Sequence, residues 1–319
     1  MKNNGFELWD MVVNNTKLPK EYVSDVDWTK DTLKELYERK LNMEKEYNFT
    51  PQLAFANIET HMKMWAEQTN AKNFVVGISG GKDSTVVAML LCAIFGKERV
   101  YGVMMPQGMQ SDIQDSIDVC SILGIHKTIV NIGESVDALT SQIWQNRSES
   151  NIYPTKDMEI NLPARIRMAT LHAIGQCVDG RVINTSNLSE DMVGYATQFG
   201  DNAGAYAPLQ GLTVTEVKEL GKYLIDVLGF NDTFRPHTRN MLIKLIDKTP
   251  LDGLQAQTDE QRLGFTYSSL DKFIRHNEGS DEFKELIRKK YQQNKFKLEI
   301  VQMPQPDFSY LPNFVRTQA

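Results

Sequence analysis

The stretch 74-FVVGISGGKDSTVVAMLL-91 sets an apolar strand and an apolar helix on either side of a glycine turn. Residues 74–78 are aromatic and β-branched and stop at the turn, as a strand buried in a parallel sheet does. Gly77, Gly80 and Gly81 let the backbone bend sharply and come close to a ligand. The helix is expected over about 84–95, with Ser84 and Thr85 placed to cap it and its free N–H groups facing an anion. A Walker A loop requires glycine at position 76, where this chain carries Val76. The turn is a phosphate loop of another kind.

Outward from the turn the periods alternate. A helix over 51–69 leads into the strand. Further strands are expected at 99–106, 127–132 and 181–186, with helices near 112–123, 134–145 and 163–178 between them. This alternation with short links implies an α/β fold: a doubly wound, mostly parallel sheet flanked by helices. Ligands on such a sheet lie at the carboxyl ends of the strands, so the loops at 79–84, 105–111 and 186–201 are expected to converge. Residues 146–163 are polar, contain two prolines and show no period. They are expected to form a long loop of the kind that serves as a lid. The chain beyond about 213 reads as a helical C-terminal region. Residues 1–50 read as a partly helical N-terminal extension, 51–300 as the functional domain and 301–319 as a tail.

Of the 319 residues, 41% are hydrophobic and 24% charged, an ordinary balance for a chain that buries a globular core. The net charge of −6 argues against a nucleic-acid partner, which a basic footprint would announce. No apolar run reaches the ~18 residues that span a bilayer, and no apolar signal core opens the chain, so no membrane partner is expected. Cys92, Cys120 and Cys177 are widely spaced and form no C-x-x-C pair. They read as buried free thiols on helices, which suits a reducing cytoplasm.

The turn residues Ser79-Gly80-Gly81-Lys82-Asp83-Ser84 resemble the SGGxDS signature of the ATP pyrophosphatases, whose fold is Rossmann-like and termed adenine nucleotide alpha hydrolase-like. Three further segments resemble the NAD synthetases in particular: 161-NLPARIRMAT-170, 182-VINTSNLSEDMVGYATQFGD-201 and 253-GLQAQTDEQRLGFTYSSLD-271. The strand exit 104-MMPQGMQSDIQDSIDV-119 is similar to another of that family's elements. The resemblance implies ATP as a substrate, held by Gly77, Ile78, Ser79, Gly80, Gly81, Lys82, Asp83, Ser84 and Thr185. It implies Mg²⁺ on Asp83 and Glu190, and deamido-NAD⁺ on Asn161, Arg165, Gln198, Asp201 and Lys297. Asp83, Glu190 and Asp201 carry the catalysis in this reading. Arg165 and Arg167 flank one residue, so only one points directly into a site; the resemblance assigns Arg165, with Asn161 one turn earlier on the same side.

Several positions depart from the family's pattern. Its lysine after a P-L-x-x-L element is Val214 here, and Lys218, one turn on, is the expected replacement. Pro250-Leu251 lacks a hydroxyl, Gln198 stands where the family has lysine, and Phe296-Lys297 stands for a His-Lys pair. Lys82 occupies the loop's variable position, where its charge offsets part of the loss.

The implied reaction is C–N bond formation. ATP adenylates the nicotinate carboxylate of deamido-NAD⁺, and ammonia displaces AMP to give NAD⁺. Only 78 residues precede Ser79, too few for the glutaminase domain of the glutamine-dependent relatives, so ammonia itself is the expected nitrogen donor. The resemblance also implies a homodimer. Two other readings stay open. One is a nucleotide-binding protein of the same fold without turnover, suggested by Val214, Leu251 and Gln198. The other is an RNA-modifying adenylating enzyme, which the acidic charge and the missing C-x-x-C pair disfavour.

Overall fold

The computed structural model describes residues 49–110, 112–230, 236–248 and 258–299. The expected extension up to residue 48, the tail, Leu251 and the front of the 253–271 segment lie outside the described residues.

Helix α1 (Pro51–Gln68) opens with proline at its first turn and buries Ala54, Ile58, Met62, Trp65 and Ala66, a three-to-four spacing down one side. The chain then forms β1 (Asn73–Gly77), α2 (Lys82–Phe95), a 3-10 turn (Lys97–Arg99), β2 (Val100–Met104), α3 (Ile113–Leu123) and β3 (His126–Ile129). Two long helices, α4 (Gly133–Ser150) and α5 (Lys156–Cys177), lead to the short β4 (Gly180–Val182). The remainder is helical: α6 (Leu188–Val193), α7 (Val214–Val227), α8 (Pro236–Asp247), α9 (Asp259–Leu263), α10 (Tyr267–His276), α11 (Asp281–Asn294) and α12 (Phe296–Glu299).

The four strands are parallel in the order β3-β2-β1-β4. Val75 at the centre pairs with Tyr101 on one side and Val182 on the other. The chain runs outward from β1 through β2 to β3, then returns to lay β4 on the opposite side of β1. That reversal opens a crevice at the carboxyl ends of β1 and β4, where doubly wound sheets bind ligands. Helices cover both faces of the central strand. Phe74 stacks on Phe95 of α2 with ring centres 4.2 Å apart. On the other face a Cβ added at Gly77 would meet Leu171 of α5 at 3.4 Å.

Two sequence expectations fail. Residues 146–163 are no lid loop: α4 continues through Ser150, α5 starts at Lys156, and only a short link separates them. Thr155 caps α5 by accepting a hydrogen bond from the Met158 N–H at 3.2 Å, and Asp157 and Glu159 sit in its first turn, where the helix dipole favours them. The start of α5 is polar and Pro163 lies inside the helix, so no apolar period marked it. The thiols also differ from expectation. All three are free and lie on helices, but only Cys120 is buried, while Cys92 is half-buried and Cys177, the last residue of α5, is exposed.

Candidate active site

The loop after β1 is built by the backbone. Ile78 N–H donates to Val103 O at 2.9 Å, which prolongs the ladder past the strand end. Gly80 then turns the chain with φ +76°, and a Cβ there would lie 2.8 Å from Asp115 Cβ, so only glycine fits. Gly81 stands at the N-cap of α2 with no side-chain cap. The expected capping by Ser84 and Thr85 does not occur. Their hydroxyls donate back to Gly81 O at 3.2 and 2.7 Å, because the helix begins two residues earlier than its apolar run suggested. The first N–H groups of α2 keep their capacity for an anion.

Across the crevice, the loop after β4 brings a second carboxylate to this turn. Lys82 Nζ lies 2.7 Å from Asp83 Oδ2 and 3.7 Å from Glu190 Oε1. It also stands 5.6 Å from the centre of the Tyr267 ring. Asn187 fixes both acids: its Nδ2 donates to Asp83 Oδ1 at 3.1 Å, and its Oδ1 caps α6 by accepting from Glu190 N–H at 3.1 Å. Burial alone lowers the Lys82 pKa, but the charges of Asp83 and Glu190 more than reverse this and keep the ammonium protonated. Glu190 is pushed up to about 8, first by burial and then by the Asp83 charge, with Lys82 opposing. Asp259, at the start of α9, adds a third acid, and its Oδ1 accepts from the Tyr195 hydroxyl at 2.9 Å. The buried Tyr267 hydroxyl has no hydrogen-bond partner among the described residues.

Among the described residues no three His, Cys, Asp or Glu side chains gather into a metal cage. Mg²⁺ commonly takes one or two protein carboxylates and completes its shell with phosphates and water. Asp83 and Glu190, converging on one point beside an uncapped helix start, fit that donor set. The ammonium of Lys82 stands at the point where they converge.

A second cluster joins α5, the turn around 195–202 and α12. Asp201 Oδ1 accepts from Thr197 N–H at 2.6 Å, and the Thr197 hydroxyl donates to Asn161 Oδ1 at 2.8 Å. Arg165 Nε donates to Gln198 O at 3.2 Å, so Asn161 and Arg165 serve one turn from one side of α5, as the spacing predicted. Arg167 donates instead to Met105 O at the exit of β2, at 3.1 Å, and its charge still interacts with Asp201. Lys297 Nζ donates to Gly194 O at 2.8 Å and Ala196 O at 3.1 Å. Asp201 keeps an exposed edge, yet the protein packed about its carboxyl raises its pKa, against the opposing hydrogen bonds from the Thr197 backbone and Lys297's charge. Gln198 Nε2 is buried without a hydrogen-bond partner among the described residues.

The two clusters thus gather Asp83, Glu190, Asn161, Arg165, Gln198, Asp201 and Lys297, while Ser79 Oγ lies 3.1 Å from Ser84 Oγ within the loop. Thr185 lies half-buried in the loop after β4. Lys218 lies on α7, and no hydrogen bond or ion pair among the described residues joins it to Asp83 or Glu190; the cation on those acids is Lys82. Val214 is core, packed with Leu188, Met192, Tyr267 and Leu270. Sequence reading set Arg167 aside in favour of Arg165 and gave no role to Asn187, Asp259, Tyr267 or Asp271. Asp271 accepts from Ser189 Oγ at 2.5 Å, Thr215 N–H at 2.8 Å and Thr215 Oγ1 at 2.6 Å. It therefore ties α10 to α7 and to the residue beside Glu190. The signal was an acid on the apolar side of a helix, Leu270-Asp271, within a segment noted only for its resemblance.

The sequence model of the family described as NAD synthase matches residues 54–307. The NH(3)-dependent NAD(+) synthetase of Thermococcus kodakarensis is 36% identical over 222 residues, 69% of this chain and 79% of that protein. Among solved structures, the NMN synthetase from Francisella tularensis superposes with a TM-score of 0.67 at 30% identity, covering 81% of this chain and 99% of its own. The NH3-dependent NAD synthetase from Campylobacter jejuni follows with a TM-score of 0.58 at 25% identity, covering 80% and 99%.

Proposed function

The chain belongs to the NAD synthase family, and from that premise we propose that it is an ammonia-dependent NAD⁺ synthetase, a ligase that forms a C–N bond. The observation that carries this reading is the meeting of Asp83 and Glu190 across the switch point of the sheet, beside the uncapped start of α2.

A carboxylate resists ammonia because its charge repels the nucleophile and it offers no good leaving group. In the proposed first step a nicotinate carboxylate oxygen of deamido-NAD⁺ attacks the α-phosphorus of ATP, and the bond to the β-phosphate breaks to release pyrophosphate. N–H groups of the loop and the start of α2 hold the phosphates. Mg²⁺, bound through Asp83 and Glu190, would neutralise charge on the departing pyrophosphate. Arg165, Arg167 and Lys297 surround the acceptor's anionic groups with positive charge, and Gln198 Nε2 offers a donor. In the second step ammonia attacks the acyl carbon, AMP departs, and Asp201 accepts the proton that the new amide sheds. Its raised pKa suits a proton acceptor.

The Francisella neighbour favours a second reading in which the acceptor is nicotinate mononucleotide. One experiment separates them. The protein is incubated with ATP, Mg²⁺ and ammonium, and with either deamido-NAD⁺ or nicotinate mononucleotide, while amide product and AMP are followed together. Equal NAD⁺ and AMP from the dinucleotide supports the first reading. Turnover of the mononucleotide alone assigns the second, and no AMP from either overturns both.

The proposal extends to a homodimer. Ile129, Leu139, Trp144, Ile152 and Tyr153 are exposed, and all come from β3, α4 and the link to α5. All four residues of the edge strand β3 are exposed as well. A second copy of the chain seated there would cover an open edge and apolar side chains together. Light scattering on the purified protein checks this, with Trp144→Glu expected to favour the monomer. A cytoplasmic setting is proposed from the free thiols. Among the described residues no helix is long and apolar enough to cross a membrane.

A further inference from the structure

Lys82 is the group in the loop cluster that the chemistry above leaves without a task. It sits at the first position of α2, where the helix dipole disfavours a cation, and it is only 2% exposed. A buried ammonium persists only when counter-charge holds it; here Asp83 Oδ2 lies at 2.7 Å, with Glu190 Oε1, the more weakly ionised of the two acids, at 3.7 Å. These are the two acids that the proposed function gives to Mg²⁺. An ammonium and a divalent ion repel strongly at such separations, so the two cannot share the pair. Val214 and Tyr267 belong to one packed apolar cluster, which offers a displaced ammonium no counter-charge, and Asp259, whose charge also acts on Lys82, is a weaker partner than a triphosphate. The stronger pull on the ammonium is toward bound phosphates.

We propose that Lys82 is a resident counter-cation of the Asp83–Glu190 pair, which keeps divalent ions off both acids until nucleotide phosphates draw its ammonium away. This rests on the reading of Asp83 and Glu190 as metal ligands. Metal and nucleotide then load together, because the triphosphate brings both the new partner for Lys82 and the remaining ligands for the ion. No bond is made or broken; the ammonium exchanges carboxylate oxygens for phosphate oxygens.

The test is Mn²⁺ binding to the full chain, read by electron paramagnetic resonance of the free ion, with and without α,β-methylene-ATP. Alone, Mn²⁺ should bind wild type at least ~10-fold more weakly than Lys82→Gln, the scale of one unit charge a few ångströms away in a partly screened site. The ATP analogue should tighten Mn²⁺ binding far more in wild type than in K82Q. Thermal melts give a second readout: Mg²⁺ alone should raise the Tm of K82Q and leave that of wild type unchanged. A K82Q protein that folds only with Mg²⁺ is the same result in stronger form. Equal Mn²⁺ affinity of the two proteins without nucleotide overturns the proposal. So does K82Q that stays unfolded in saturating Mg²⁺, or full Mn²⁺ affinity in a K82Q protein that also carries Asp83→Asn. Failure to form NAD⁺ with this Mn²⁺ pattern intact would sink the enzymatic reading and leave the counter-cation standing.

Discussion

The two halves of the site hold their charges in opposite ways. Around the phosphate loop, the acids Asp83, Glu190 and Asp259 gather about Lys82, whose ammonium is locked onto carboxylates. Around the 195–202 turn, Arg165, Arg167 and Lys297 outnumber Asp201, and each cation donates to backbone carbonyls instead. A carbonyl orients a guanidinium or ammonium without cancelling its charge. The first half therefore suits a cation with its phosphates, and the second suits an anionic acceptor. One fold supplies both because the chain reverses direction beside β1, and the loops after β1 and β4 open on the same crevice.

The largest expected effect breaks the first half. Asp83→Asn should lower kcat/KM for amide formation by ~10³-fold, since in the proposed reaction it removes a carboxylate that would hold the Mg²⁺ neutralising the departing pyrophosphate. A steady-state assay of AMP and amide together checks this, and near-normal turnover would contradict it. Gly80→Ala comes next. Its Cβ would press on Asp115 Cβ and Ser116 N, at 2.8 and 3.1 Å, in a left-handed conformation that L side chains avoid. Displacing the loop by about 1 Å should cost ~10²-fold in kcat/KM for ATP, with the acceptor site untouched by equilibrium binding. Arg165→Ala should sharpen the contrast from the other side. The KM for the acceptor should rise ~10–100-fold, the worth of one charge-assisted contact, while the KM for ATP stays near wild type. A matching rise in both would show that the halves are not independent. The smallest effect is in stability against pH. Glu190 has its folded-state pKa raised from 4.5 to about 8, so the folded chain binds this proton more tightly than the unfolded chain. Its contribution is present below the ordinary carboxylate pKa and is lost as pH rises through about 8. Melts in EDTA should show wild type losing a few degrees over that window relative to Glu190→Gln.

Local features were the legible ones. The strand, glycine turn and helix of residues 73–95 follow from an apolar period on each side of small residues, and Asp83 and Glu190 sit in short contiguous motifs. What escaped depended on distant neighbours. The polar surface of α4 and the first turns of α5 carries no core-facing period, so two helix ends looked like a loop. Lys82 reads as a variable loop residue until Glu190 is brought across the sheet to meet it. Asp271 carries no role along the sequence until Ser189 and Thr215 reach its carboxylate. Pairings made by topology leave no trace in spacing along the chain.

If the two halves cooperate to adenylate a carboxylate, labelled pyrophosphate exchanges into ATP without ammonia. That exchange should require both Mg²⁺ and deamido-NAD⁺, or nicotinate mononucleotide on the second reading, and Asp83→Asn should abolish it. Exchange that proceeds without either acceptor, or none with both acceptors and Mg²⁺ present, would contradict that cooperation.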